Sequence, residues 1–272
     1  GVKMNIFVCA KQVPDTNEIK IDPVTNTLVR KGVPSILNTY DSFALEQALR
    51  IKDNDPETKI VVISMGPGQA EDMLRDCLAV GADKAYLVTD RKFGGSDTLA
   101  TSYILSNAIK TIAKEEGEPD LIFCGMQAID GDTAQVGPEI AELLGLPQVT
   151  RGFKAELNDE GIKVLQEADG GARNVQSVIP ALVTFTKYAD IELRYPKIKD
   201  KLKAKKAEIS QVTFEDMSDV IDPSRIGLKG SPTRVAKSYA PDIQKVGEIY
   251  EDLAPEEAVN KLMESLADKK LI

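Results

Sequence analysis

The chain has no histidine and no tryptophan, and aromatic residues make up only 5% of it. Without histidine, Ser-His-Asp and Cys-His nucleophilic triads, the usual zinc sites and the commonest proton-transfer side chain near neutrality are excluded. Any redox or transfer chemistry must then be carried by a cofactor. Cysteine is scarce as well: Cys9, Cys77 and Cys124 are an odd, widely spaced set without a C-x-x-C pair, which points away from a disulfide framework or a thiolate metal site and fits a reducing cytoplasm. No apolar run approaches the roughly 18 residues that span a bilayer. Met4, after Gly1–Lys3, is the expected natural start and leads into a core-like strand without a secretory pattern.

What remains is ordinary globular composition, with 42% hydrophobic and 28% charged residues, 19 glycines and 14 prolines in 272 residues. That length accommodates two domains, or one large α/β domain with appendages. The formal charge of −9 argues against a nucleic-acid binder. The exception is residues 197–206, where Lys197, Lys199, Lys201, Lys203, Lys205 and Lys206 face only Asp200. Such a run is either a solvated face or a docking surface.

Short apolar runs at Met4–Ala10, Ile60–Ser64, Ala85–Val88, Leu121–Cys124 and Ala181–Phe185 read as buried strands. Between them the 3.6-residue period predicts helices over 41–53, 69–80, 97–116 and 135–144. Asp41 is placed to cap the first, with Tyr40 and Leu45 at staple spacing, and Asp97 to cap the third. Alternating strands and helices imply a doubly wound, mostly parallel, Rossmann-like sheet over residues 4–187, with ligands at the carboxyl ends of its strands. Lys163–Glu167 and Val175–Ile179 around Asp169-Gly170-Gly171 predict an added β-hairpin. Beyond the lysine segment of 188–207, residues 208–272 read as an extended C-terminal arm ending in an amphipathic helix with Val259, Leu262, Met263 and Leu266 on one face. That stripe calls for another chain to cover it.

Two glycine-punctuated stretches run from a strand end into a helix. The longer is Gly125-Met126-Gln127-Ala128-Ile129-Asp130-Gly131-Asp132-Thr133-Ala134-Gln135-Val136. Main-chain N–H groups there, with the dipole of the following helix, suit a pyrophosphate; an ordinary capped turn is the other reading. Asp130 and Asp132 suit ribose hydroxyls, helix caps or a direction away from the phosphates better than a bare phosphate pocket. The second stretch, Gly94-Gly95-Ser96-Asp97-Thr98-Leu99-Ala100-Thr101, gathers hydroxyls at a helix start and equally reads as simple capping. Gly66-Pro67-Gly68 lacks the third glycine of a dinucleotide fingerprint and reads as a turn, and no G-x-x-x-x-G-K-[ST] exists to support a stand-alone ATP-binding domain.

Together these segments resemble the β subunit of electron-transfer flavoproteins. The likeness runs from Val8-Cys9-Ala10-Lys11-Gln12-Val13-Pro14-Asp15 through Asn38–Asp41, Met65-Gly66-Pro67, Ala128-Ile129-Asp130 with Gln135 and Gly137, Glu167–Gly171 and Pro180–Thr184 to Ala204-Lys205-Lys206. The resemblance implies a nucleotide-binding subunit that pairs with a flavin-carrying α subunit and exchanges electrons with a dehydrogenase. In one branch of the family the β site holds AMP. In the electron-bifurcating branch it holds a second FAD that takes hydride from NADH, with ferredoxin or flavodoxin and an acyl-CoA or lactate dehydrogenase as electron acceptors. Val13–Thr16 and Gly94–Thr101 resemble that branch, so FAD is the expected cofactor. Carried over by position, the cofactor contacts fall on Cys9, Asn38, Thr39, Tyr40, Asp41, Met65, Asp97, Thr98, Thr101 and Gly125 through Val136. The lysine run matches the family's partner-recognition segment, which makes Ile198 and Leu202 its expected apolar anchors.

Overall fold

The computed structural model describes residues 4–15, 34–189, 191–236 and 247–272, so Gly1–Lys3 and Thr16 lie outside the described residues. The chain divides into a unit spanning Gly1–Ala236 and a smaller one spanning Lys237–Ile272.

The larger unit begins with β1 (Asn5–Cys9), the short pair β2 (Gln12–Pro14) and β3 (Ser35–Leu37), and α1 (Thr39–Asn54). It continues through β4 (Lys59–Met65), α2 (Glu71–Val80), β5 (Lys84–Val88), α3 (Thr98–Glu116), β6 (Leu121–Gly125) and α4 (Val136–Leu144). A run of strands follows, β7 (Gln148–Asn158), β8 (Gly161–Ala168), β9 (Gly171–Ser177) and β10 (Ala181–Phe185). The unit closes with α5 (Ile198–Ala204), β11 (Ser210–Val212) and the single turn α6 (Gly227–Gly230). Nine of these strands form one sheet in the order β11-β5-β4-β1-β6-β10-β7-β8-β9. All neighbours are parallel except β7 with β8 and β8 with β9. This is the expected doubly wound α/β sheet.

Because side chains alternate across a strand, β1 sends Ile6 and Val8 to one layer and Phe7 and Cys9 to the other. Leu45 and Ala48 of α1 and Leu74 of α2 fill the first layer with Phe123 and Val183. Ile104 and Ile109 of α3 and Ile140 of α4 fill the second with Ile63, Ile122 and Leu182. Each large apolar chain buried this way contributes about 1.5–3 kcal/mol. Both faces of the central strands are therefore covered, and the accessible backbone lies at their ends.

Three details differ from the sequence reading. The predicted hairpin is a three-stranded meander, because β7 pairs parallel with β10 and antiparallel with β8. Its alternating Val149, Ala155 and polar neighbours were obscured by Arg151 and Gly152, where the register slips. The stretch expected to leave the domain as an arm first adds to it: β11 pairs with β5, and Met217, Ile221 and Ile226 enter the second core layer. Asp41 does not cap α1. The helix starts at Thr39, so Tyr40 lies inside the first turn, off the staple position, and Asp41 is buried there.

In the smaller unit, α7 (Pro255–Asp268) opens with proline and two glutamates in its first turn. Val259, Leu262 and Met263 are exposed on it.

Candidate functional site

The order of strands reverses at β1: β4 and β5 lie on one side of it, β6 and β10 on the other. A crevice opens beyond the carboxyl ends of strands at such a switch point. In this chain it is a cavity of about 490 Å³, within the range of small-molecule sites. Cys9 and Lys11 from β1 and its exit, Met65 from β4, and Cys124 with Gly125 from β6 form its floor.

Asp41 ties the two strand ends together. One carboxylate oxygen accepts the Lys11 N–H at 2.7 Å and the other the Gly125 N–H at 3.0 Å. A Cβ on residue 125 would sit 2.3 Å from that second oxygen and 2.6 Å from the Asp41 nitrogen, so only glycine lets β6 approach α1 this closely. Burial pushes the Asp41 carboxyl up to about 7, against the lowering effect of the hydrogen bonds from Lys11, Asn38 and Gly125. Asn38, buried just before α1, clamps the loop after β6. Its Nδ2 donates to the Gln127 carbonyl at 2.8 Å and its Oδ1 accepts the Ile129 N–H at 3.0 Å.

The loop from 126 to 135 is thus fixed at its near end. It turns on itself through Gly131 and Asp132, whose N–H groups both donate to the Ala128 carbonyl. Asp132 and Ala134 then take left-handed backbone angles, φ 53° and 54°. Strain of this kind costs about 1–3 kcal/mol per residue and persists only where the surroundings enforce it. Past this point the N–H groups of Thr133, Ala134, Gln135 and Val136 have no hydrogen-bond partner among the described residues, and all four residues line the cavity at the start of α4. Unpaired donors at a helix N-terminus carry partial positive charge and suit an anionic group.

The second glycine loop also lines the cavity, and its Ser96 and Asp97 groups are engaged, whereas the N–H groups of Gly95, Thr98 and Leu99 have no partner among the described residues. Asp97 caps α3 by accepting the Ala100 N–H at 3.0 Å, and its other oxygen accepts the Thr233 N–H and hydroxyl at 2.9 and 2.7 Å. Partial burial works against ionisation there, but hydrogen bonds from Ala100, Thr233 and Ser231 hold this carboxyl below its ordinary value. The Ser96 N–H donates to the Phe93 carbonyl and the Asp97 N–H to the Ser231 hydroxyl. The Thr98 hydroxyl donates to Gln135 Oε1 at 3.0 Å, linking the two loops.

Most residues expected at the site do line this cavity: Cys9, Asn38, Asp41 and Met65; Asp97, Thr98 and Thr101; Gly125 through Ala128; Gly131 and Thr133 through Val136. Five do not. Thr39 and Tyr40 are taken into the first turn of α1. Ile129 contributes its N–H to Asn38, Asp130 pairs with Lys11 Nζ at 2.6 Å, and Asp132 accepts from Gln127 Nε2 at 2.7 Å. The two loop aspartates therefore brace the loop. Ser96 of the second candidate loop lines the cavity too, but its N–H is bonded to Phe93; Lys11, Phe93 and Leu105 also line the cavity and were not expected there. Lys11 carried a signal, since it stands two residues past the strand end; Phe93 and Leu105 had none beyond their apolar character.

Away from the cavity, α5 lies on α2, with Arg75 donating to the Ala207 carbonyl. Arg194 holds the preceding segment to α1 through Glu46 at 3.0 Å and Asp53 at 2.7 Å. Ile198 and Leu202, four apart on α5, remain 82% and 59% exposed. No helix among the described residues is long and apolar enough to cross a membrane, and no group of potential metal ligands occurs among them.

The electron transfer flavoprotein domain family matches residues 25–217. The chain is 47% identical over 273 residues to the electron transfer flavoprotein subunit beta of Megasphaera elsdenii, covering 99% of this chain and 100% of that one. It is 44% identical over 269 residues to the caffeyl-CoA reductase-Etf complex subunit CarD of Acetobacterium woodii, covering 99% and 100%. Identity to Protein FixA of Azorhizobium caulinodans is 47% over 241 residues, 88% of this chain and 85% of the relative.

Proposed function

The chain belongs to the electron transfer flavoprotein family as a β-type subunit, and from that premise we propose that its cavity binds FAD and works in NADH-linked electron bifurcation. The observation that carries the reading is the row of N–H groups at Thr133–Val136 with no partner among the described residues, on a strained loop that lines the cavity at the switch point. A diphosphate suits these donors, and other lining residues suit the rest of a dinucleotide: hydroxyls at Thr98 and Thr101 and apolar Phe93 and Leu105. The name of the Acetobacterium relative, a subunit of a caffeyl-CoA reductase complex, supports a dehydrogenase-linked role.

Bound FAD would supply the redox chemistry, accepting hydride from NADH and yielding electrons to ferredoxin or flavodoxin and, through an α-subunit flavin, to an acyl-CoA or lactate dehydrogenase. The chain's own residues position and bind. Asp41 and Asn38 hold the strand ends and the loop; Lys11, already paired with Asp130, keeps positive charge beside the anionic group. Ile198 and Leu202 are the proposed anchors for the dehydrogenase, with surrounding lysines drawing in an acidic surface. The exposed stripe on α7 is assigned to the α subunit.

The test is to purify the chain with its α partner, extract the cofactors and add NADH. Two FAD per heterodimer and bleaching by NADH are expected. One FAD with one AMP, and no response to NADH, would return the protein to the simple carrier branch.

A further inference from the structure

Cys9 and Cys124 are 115 positions apart in the sequence but are in-register partners on the adjacent parallel strands β1 and β6. Both point into the same layer, beside Phe7 and Ile122, and both line the cavity floor while only 8% and 5% exposed. Paired strands lie about 4.8 Å apart, inside the window of about 4.4–6.8 Å between α-carbons over which two cysteines can be bridged. Cys77 makes the contrast: it lies in the opposite layer against Met73.

We propose that Cys9 and Cys124 form a dithiol modification site in the cavity floor, which closes to a disulfide when a two-electron oxidant enters. With a diazene oxidant, one thiolate adds to the N=N bond to give an S–N adduct, and the second thiolate attacks that sulfur, breaking the S–N bond and expelling the reduced nitrogen pair. Two S–H bonds break, one S–S bond forms, and two electrons and two protons leave with the oxidant as a hydrazine. Hydrogen bonding with Cys9 and then burial push the Cys124 thiol up, so Cys124 itself attacks slowly near neutrality and faster in alkali. The bridge would fasten the strand ends whose next residues include Lys11 and Gly125, both held by Asp41. A nucleotide in the cavity covers the same floor and guards the thiols; this last clause alone rests on the function proposed above.

The experiment treats the nucleotide-free full chain with diamide, counts free thiols after denaturation, and maps the non-reduced peptides. Loss of two of the three thiols, with a single Cys9–Cys124 link inside one chain that dithiothreitol reverses, is the expected result. Cys9→Ser and Cys124→Ser should each abolish the link and leave Cys77 unmodified. Links through Cys77, links between chains, or retention of all three thiols would overturn the proposal. Saturating AMP, with binding measured separately, should slow the cross-link. If neither AMP nor FAD binds, the nucleotide reading falls while the cross-link result still decides the dithiol.

Discussion

Two loops of similar composition line the cavity and meet where Thr98 bonds Gln135, and they differ in where their amides go. At Ser96 and Asp97 the N–H groups end on Phe93 and Ser231, and the Asp97 carboxylate is divided between Ala100 and Thr233. At Thr133–Val136 the amides have no partner among the described residues. The first loop spends its Ser96 and Asp97 amides and the Asp97 carboxylate on capping α3 and anchoring the returning chain at 231–233, leaving only the Gly95, Thr98 and Leu99 amides without a partner among the described residues. The second is held from outside, by Asn38 and Asp41, in a shape that leaves its donors available. Glycine-rich strand-to-helix turns therefore divide into caps and cradles, and the distinguishing sign is whether distant residues satisfy the near end of the loop while its far end stays unpaired.

The largest effect that would blur this contrast comes from Gly125→Ala. The new methyl would meet the Asp41 oxygen and nitrogen, forcing β6 from α1 at a cost of about 3 kcal/mol and emptying the cradle. Denaturant unfolding and cofactor content check it together. Asn38→Ala comes next, leaving the half-buried Gln127 carbonyl and the Ile129 N–H without their partner at about 1–3 kcal/mol in all. Nucleotide affinity should fall with it. Asp97→Ala sharpens the comparison from the other side. It removes a cap, costing about 1 kcal/mol in melting measurements, while nucleotide occupancy drops less than in Asn38→Ala. Equal loss of nucleotide in the two variants would mean that both loops are cradles.

Asp41 offers a pH signature. Its carboxyl is raised from 3.8 to about 7 by burial, so between those values the folded chain holds a proton that the unfolded chain has released. Stability is then highest below the unfolded value and declines as pH rises to about 7, and Asp41→Asn should flatten that decline in pH-dependent unfolding. Among the described residues, the charged or titratable neighbours are Lys11, Cys77 and Cys124. The smallest structural effect belongs to Ile198→Ala and Leu202→Ala. Both side chains are exposed, so unfolding should move by no more than about 0.5 kcal/mol while electron exchange with the partner dehydrogenase slows.

The central strands, the four main helices and the location of the cavity were legible because buried strands and amphipathic helices carry strong periods, and a parallel sheet dictates where its crevice opens. Asp41 misled because an acidic residue before an apolar run fits a cap, whereas its partners, Lys11 and Gly125, lie 30 and 84 positions away. The pairings of Asp130 with Lys11 and Cys9 with Cys124 were invisible for the same reason: strand adjacency creates them. β11 was missed because Ser-Gln-Val is too short for a period to register.

Amide hydrogen exchange resolved by residue, with and without bound nucleotide, tests the contrast between the loops most directly. Strong new protection at Thr133–Val136, with little change at Ser96 and Asp97, is the predicted result. Protection confined to Ser96 and Asp97, with the amides of 133–136 exchanging as before, would contradict the assignment of the cradle.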